Sequence, residues 1–228
     1  MNQIEFIGIA GSGKTTSTNI LCEKFRKNKK KIVYINKFLF ESRGQILRYF
    51  LAFNLLIFAF LLDINSIFSS FQTLLKLKTN IKISLNYLFQ LSVLIILKKI
   101  RKFVPIYDQG IIQAIISLVA SIENKIEEKY IKKLLIPKYL PSFIIKTYSP
   151  DEINFLRIKK RKDKRKSRML RSEVDGKYWK NYLKAINRME MILKEENILI
   201  YKLESNCTLD ELNLRIDFIF DSLKNYFI

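Results

Sequence analysis

The chain has 228 residues and a mass of 27.1 kDa; it is 49% hydrophobic with six glycines and four prolines, which suits one large packed domain and excludes a disordered or fibrous chain. It carries 41 basic residues against 21 acidic ones, a net charge of +20, and no histidine, which excludes a Ser-His-Asp triad, a histidine general base and any histidine-ligated metal. Cys22 and Cys207 lie far apart with no CxxC spacing; this excludes a zinc knuckle and a disulfide framework and reads as reduced thiols of a cytoplasmic chain.

The opening MNQIEFIGIAG has neither the charged start nor the unbroken apolar run of a signal peptide. Residues 3–9 predict a strand running directly into glycines, and Ile20, Leu21 and Phe25 recur at helical spacing over 14–27. A basic turn leads to a second strand at 31–35. Residues 44–102 read as helix, three helices broken near 63–65 and near 79–80, longer than the usual crossover between parallel strands. Within them, YFLAFNLLIFAFLL from Tyr49 to Leu62 is interrupted by Asn54 and closed by Asp63. A spanning helix needs about 20 apolar residues, so this run reads as a buried core helix rather than a span. A third strand is expected at 102–110, helices at about 110–121 and 123–135, and a fourth strand at 142–148. Ser149-Pro150-Asp151-Glu152 then reads as a helix start with Ser at the cap, Pro at the first helical position and acids in the first turn. Helix 177–196, strand 197–203 and helix 208–226 complete the chain. Strands alternating with helices predict a parallel sheet with helices on both faces.

Gly8-Ile9-Ala10-Gly11-Ser12-Gly13-Lys14-Thr15 fits G-x-x-x-x-G-K-[ST] without a mismatch, after a strand and before a helix. Glycines let successive backbone N–H groups curl round a phosphate, and the following helix aims its positive end at the same anion. Gly8, Gly11, Ser12, Gly13, Lys14, Thr15 and Thr16 are the expected nucleotide-binding residues. Lys14 would reach the β- and γ-phosphates and the Thr15 hydroxyl would hold Mg²⁺. Residues 157–171, RIKKRKDKRKSRMLR, hold ten basic residues and one acid; without them 31 basic and 20 acidic residues leave +11. So concentrated a charge reads as a phosphate-gripping lid, as a solvated basic helix, or as a patch for anionic lipid or nucleic acid.

Beyond the loop, PSFIIKTYSPDEINFLRIKKR from Pro141, then YWKNYLKAINRMEMI, NILIYKL and ESNCTLDELNLRIDFIF, resemble the thymidylate-kinase-like group of P-loop kinases. The resemblance covers residues 3–35 and about 102–227; the middle, 36–101, does not match. It implies lid arginines, best matched by Arg157 and Arg161, with Arg165, Arg168 and Arg171 less well matched. It also implies an Asp at the end of the third strand that helps hold Mg²⁺ or orient the acceptor, here Asp108. The group pairs that Asp with an Arg, but here Gln109 follows, a departure that bears on the standard thymidylate-binding mode. The other reading of Asp108 is a cap for the helix from 110 onward. Glu41, as a general base, or Arg43 could meet an acceptor, although capping or solvating the long helix is the commoner use of such residues. Cys22 reads as a buried helix residue, and Tyr178 and Trp179 as packing residues.

The fold expected is therefore α/β of the P-loop NTPase type: a five-stranded parallel sheet flanked by helices, one domain over 1–228 with a helical elaboration at 37–101 and a basic lid at 157–176. The function implied is an ATP- and Mg²⁺-dependent kinase with a small-molecule acceptor, nucleoside or nucleotide first, catalysed by Lys14, Asp108, Arg157 and Arg161 with metal held by Thr15 and Asp108. The alternatives are an ATPase switch acting on a membrane or macromolecular partner, or a kinase for a sugar or lipid-linked acceptor. Nucleic acid is disfavoured as a partner; a cytoplasmic location, with peripheral membrane contact and a homodimer left open, is the expectation.

Overall fold

A computed structural model describes residues 2–35, 45–100, 103–122, 125–164 and 176–227. Five strands form one sheet: β1 (Ile4–Ile7), β2 (Ile32–Tyr34), β3 (Val104–Tyr107), β4 (Phe143–Tyr148) and β5 (Leu199–Glu204). The order is β2-β3-β1-β4-β5 and every pairing is parallel, with Ile4 opposite Ile106 on one side and Phe143 on the other. Each strand read from the sequence lies where it was expected, and the sheet is the five-stranded, all-parallel α/β sheet flanked by helices that the alternation of elements predicts.

All four residues of β1 are buried, the signature of a central strand covered on both faces. Side chains alternate across the sheet. Ile4, Phe6, Ile106, Phe143 and Ile145 face α1 (Lys14–Lys27) and the terminal helix, packing with Leu21, Phe25, Ile216 and Phe220. Ile7, Tyr107 and Ile144 face the opposite layer, which contains the helix after β3. Cys22 is buried in the first layer, as its helical position implies.

Between β2 and β3 the chain forms α2 (Gln45–Leu62), α3 (Ile64–Lys76) and α4 (Ile81–Ile100). Asp63 ends α2 and caps α3, accepting from Ser66 N at 3.3 Å. Although burial works against ionisation, hydrogen bonds from Lys138 and Tyr139 hold the Asp63 carboxyl well below the usual carboxylate range. The Tyr87 hydroxyl of α4 donates to Leu134 O at 2.9 Å, a second tie to the main layer. The Tyr49–Leu62 run is not a buried core helix. Only one side of α2, with Leu51, Leu55, Leu56 and Ala59, packs inward, while Phe50, Phe53, Ile57, Phe58 and Leu61 are exposed. By length and composition α4 alone could cross a membrane among the described residues, but half of its apolar window is buried in the fold.

After β3 come α5 (Ile111–Ser121) and α6 (Glu128–Leu134), the latter starting later than its sequence pattern predicts because Glu127 is extended. Then follow α7 (Asp151–Lys164), α8 (Gly176–Glu195) and α9 (Leu209–Leu223). A reciprocal capping box opens α9: Thr208 Oγ1 accepts from Glu211 N, and Glu211 Oε2 accepts from Thr208 N.

Candidate active site

The loop Gly8–Gly13 leaves the carboxyl end of β1, the central strand, and enters α1 at the crevice where open α/β sheets bind ligands. Gly13 caps α1 in the left-handed region, with no side chain among the described residues bonded to the cap and no acid in the first turn, so the helix supplies no carboxylate of its own against its positive end. The loop is held from three directions. Ser12 Oγ lies 2.8 Å from Thr147 Oγ1 on β4; Gly8 N donates to Gln113 Oε1 at 3.1 Å; and Arg157 Nη1 donates to Gly11 O at 3.2 Å.

Gly11 shows why this loop tolerates no side chain. Its φ is +81°, and a Cβ there would lie 2.6 Å from Asn154 O and 2.9 Å from Asn154 Cα, in the first turn of α7. Asn154 is fully buried and closes that turn itself: its side chain donates to Ser149 O at 2.8 Å and accepts from the Ser149 hydroxyl at 2.6 Å. The expected Ser149 start of the helix is thus tied through Asn154.

The ammonium of Lys14 curls back over the loop and donates to Gly8 O and Ile9 O, both at 2.7 Å. Thr15 Oγ1 donates to Asp108 Oδ2 at 2.9 Å, and the Tyr34 hydroxyl donates to the same oxygen at 2.8 Å. Tyr34 ends β2 and Asp108 follows β3, the two strands on that side of β1, so the parallel order brings three strand ends to one point. Of the expected residues, the loop, Lys14, Thr15, Asp108 and Arg157 converge here. Thr16 is exposed beside them. Arg157 clamps the loop to the β5–α9 connection: besides Gly11 O it reaches Ser205 Oγ at 3.1 Å and Ser205 O at 2.8 Å. Arg161 lies about one turn further along α7. Glu41, Arg43, Arg165, Arg168 and Arg171 lie outside the described residues.

The reading of Asp108 as the cap of α5 is overturned, because that place is taken by Glu5. The Glu5 carboxylate, buried at the centre of β1, accepts from Ile112 N at 3.1 Å and Gln113 N at 2.7 Å. A Cβ on Gly110 would lie 2.6 Å from its carboxyl carbon, which explains the glycine. Burial pushes the Glu5 carboxyl up to about 7 from its ordinary 4.5, against the lowering effect of those N–H groups. A carboxyl whose folded pKa lies above its unfolded value contributes stability that is complete below the unfolded pKa and is lost as pH rises through the folded one. This group should therefore cost native stability on the order of 3 kcal/mol as pH climbs from about 4.5 past about 7. Thermal unfolding across that range, compared with Glu5→Gln, should show the fall in the parent chain and its absence in the variant.

Beside the loop lies a cavity of about 160 Å³, walled by Gly8–Ala10 and Lys14, by Gln109, Gln113 and Ser117 around the start of α5, by Asn86 of α4, and by Tyr178, Trp179 and Tyr182 of α8. Gln113 Nε2 donates to the Tyr182 hydroxyl, so one amide ties the glycine loop to the aromatic wall. Trp179 stacks on Phe155 with centroids 4.6 Å apart, a packing role that also shapes the wall. Among the described residues lining the cavity, Lys14 is the sole charged side chain. Sequence reasoning missed Glu5, Tyr34, Gln113, Thr147 and Ser205. None belongs to a motif: Tyr34 acts on Asp108, Gln113, Thr147 and Ser205 act on the loop, and Glu5 acts on the start of α5.

No family model matches the chain, and no curated protein is similar to it in sequence. Among solved structures, the chain is similar to a thymidylate kinase from Ehrlichia chaffeensis, with 19% identity, 98% of each chain covered and a TM-score of 0.49.

Proposed function

We propose that this chain is an ATP-dependent phosphotransferase that moves the γ-phosphoryl group to a small-molecule acceptor, with a nucleoside or nucleotide as the acceptor class, as the thymidylate-kinase-like pattern of its sequence implies. The observation that carries the reading is the conjunction at the head of α1. A glycine loop backed by a helix start has the Lys14 ammonium on it and the Thr15 hydroxyl 2.9 Å from the Asp108 carboxylate. Phosphoryl transfer needs little covalent chemistry from the protein; it needs positioning and positive charge where the transition state spreads negative charge over phosphate oxygens.

The loop N–H groups would bind the phosphate chain, and Lys14 would exchange the carbonyls of Gly8 and Ile9 for phosphate oxygens. Thr15 and Asp108 fit a magnesium ion, since a hydroxyl and a carboxylate are the hard oxygen donors that such a cation takes alongside water and phosphate. Magnesium bound there would neutralise charge on the nucleotide phosphates. Tyr34 holds the Asp108 carboxylate oriented. Arg157, bridging Gly11 and Ser205, keeps the loop closed at the root of the basic helix, and Arg161 and the basic run beyond it would cover the phosphates and exclude water. The acceptor would occupy the cavity beside the loop. Its amides, hydroxyls and aromatic rings suit an uncharged, ring-bearing hydroxyl compound, which favours a nucleoside over a nucleoside monophosphate.

The test is ADP formation from Mg·ATP by the purified protein, alone and with nucleosides, nucleoside monophosphates and sugars. Turnover is expected to require an acceptor and to be greatest with a nucleoside. Turnover independent of any acceptor would replace this reading with an ATPase switch, and preference for a monophosphate would overturn the choice of acceptor.

A further inference from the structure

The helices between β2 and β3 carry apolar residues on their outer side as well as their inner one, which a helix that meets only water would not. In α3, Ile64, Phe68, Phe71 and Leu75 are spaced by four, three and four residues and form one stripe, 47–62% exposed. The buried side of the same helix holds Ser66, Ser70 and Thr73 with Ile67 and Leu74. A one-sided surface helix ordinarily does the reverse, burying its apolar stripe and wetting its hydroxyls. An exposed stripe recurs on α2, where Phe50, Phe53, Ile57 and Leu61 are spaced by three, four and four residues and are 46–76% exposed. At the start of α4, Ile81 is 76% and Leu85 54% exposed. Exposed apolar side chains in this number on neighbouring helices mark an interaction site.

The charge around it has one sign. Residues 45–100 contain a single acid, Asp63, against Arg48, Lys76, Lys78, Lys82, Lys98 and Lys99. That acid is already engaged by Lys138 and Tyr139. Lys76, Lys78 and Lys82 are exposed at the α3–α4 turn, directly beyond Leu75 and beside Ile81.

We propose that this face docks on a lipid bilayer bearing anionic headgroups, with α2 and α3 lying in the interface and not crossing it. Apolar side chains that enter the headgroup boundary, rimmed by lysines that meet lipid phosphates, are the arrangement of an interfacial helix. The two helices are bent by 118° at Asp63, so the apolar stretch turns back instead of running on as a span. A second copy of the chain fits the charge poorly: a two-fold interface sets the same lysines against one another, whereas an anionic surface neutralises each of them. Asn86, next to the exposed Leu85, lines the cavity beside the phosphate loop, so docking surface and cavity share α4. The inference does not rest on the proposed phosphotransfer, and its test reads no turnover.

The experiment is sedimentation of the full chain with vesicles of phosphatidylcholine alone and of phosphatidylcholine mixed with phosphatidylglycerol. The parent chain is expected to sediment with the anionic vesicles at least about tenfold more strongly than with the neutral ones. Phe53→Asp with Phe68→Asp and Phe71→Asp should reduce that partitioning about tenfold or more with an unchanged circular-dichroism spectrum, since all three side chains are exposed. Lys76→Glu with Lys78→Glu and Lys82→Glu should remove the preference for anionic lipid. A single Phe68→Trp, a milder change, should show an emission blue shift on anionic vesicles that brominated acyl chains quench. Parent protein left in the supernatant with both vesicle types would overturn the proposal. So would binding unchanged in the aspartate variant, which would move the contact to the basic run at 157–171. A lipid-independent dimer that the aspartate variant dissociates, without vesicle binding by the parent, would assign the face to a second copy instead.

Discussion

Lys14→Ala is expected to lower acceptor-dependent ADP formation by about three orders of magnitude while the chain stays folded. The size of the effect follows from where the ammonium sits. It lies over the loop, 2.7 Å from the carbonyls of Gly8 and Ile9, at the one point where the phosphate chain, the start of α1 and the Thr15–Asp108 pair meet on the proposed reading. A charge placed there before the reaction costs no reorganisation when phosphate charge develops. Its loss to the fold is small by comparison. Two part-buried hydrogen bonds to loop carbonyls disappear, a cost of about 1–2 kcal/mol. Lys14→Arg should fail nearly as badly, because a planar guanidinium cannot replace a compact ammonium folded onto the loop. The check is steady-state ADP formation together with thermal unfolding of each variant. Turnover retained within about tenfold in Lys14→Ala would remove the loop from the chemistry.

Gly11→Ala is expected to cost about 3 kcal/mol or more of stability, because two penalties add. At φ +81° an alanine pays the left-handed backbone cost of about 1–2 kcal/mol. Its methyl would also lie 2.6 Å from a backbone oxygen and 2.9 Å from a Cα of Asn154, atoms that cannot rotate away. Asn154 is buried and bonded twice to Ser149, so relief requires moving the start of α7, and with it Arg157 and its bonds to Gly11 and Ser205. For a chain of this length such a loss should lower the midpoint of thermal unfolding by roughly 6–12 °C. Gly176→Ala is the control: a methyl there meets nothing within 4 Å at the start of α8, and the change should be neutral or slightly stabilising. A Gly11→Ala midpoint within about 2 °C of the parent would show that the loop and α7 are not locked as the geometry implies.

The difference between what could be read and what could not follows particular residues. The glycine loop was legible because its demands are local: eight consecutive residues meet them with a strand before and a helix after. Asp108 was legible as an acid closing an apolar strand, and Thr15 as its expected partner at a metal, but Tyr34 beside them was not. Thr15 and Tyr34, which donate to it, lie 93 and 74 positions away. Glu5 misleads by its neighbours, since an acid alternating with Ile4 and Phe6 reads as the wet side of a strand. Only the parallel order, which lays the start of α5 over β1, gives that carboxylate two backbone N–H groups to hold and leaves room at Gly110 for nothing larger than hydrogen. Arg157 was legible as a basic residue on the helix after β4, while its partner Ser205, 48 positions on, was not.

The stretch between β2 and β3 shows the limit most clearly. Its helices, with their breaks near Asp63 and Asn80, follow from apolar spacing and capping chemistry, which are properties of neighbouring residues. A period of 3.6 residues, however, has the same form whether a stripe faces a core or the outside. α2 and α3 each carry apolar residues on more than one side, and packing against α4 and α6 chose which side turned inward, taking Ser66, Ser70 and Thr73 and leaving Phe68 and Phe71 out. By itself the sequence determined the strands, the helices and the glycine loop, because hydrogen-bonding period, glycine conformation and capping act over a few residues. The tertiary structure alone decided which acid caps and which binds, what clamps the loop, and which apolar face stays uncovered, because each depends on side chains that meet only after the sheet has ordered its strands.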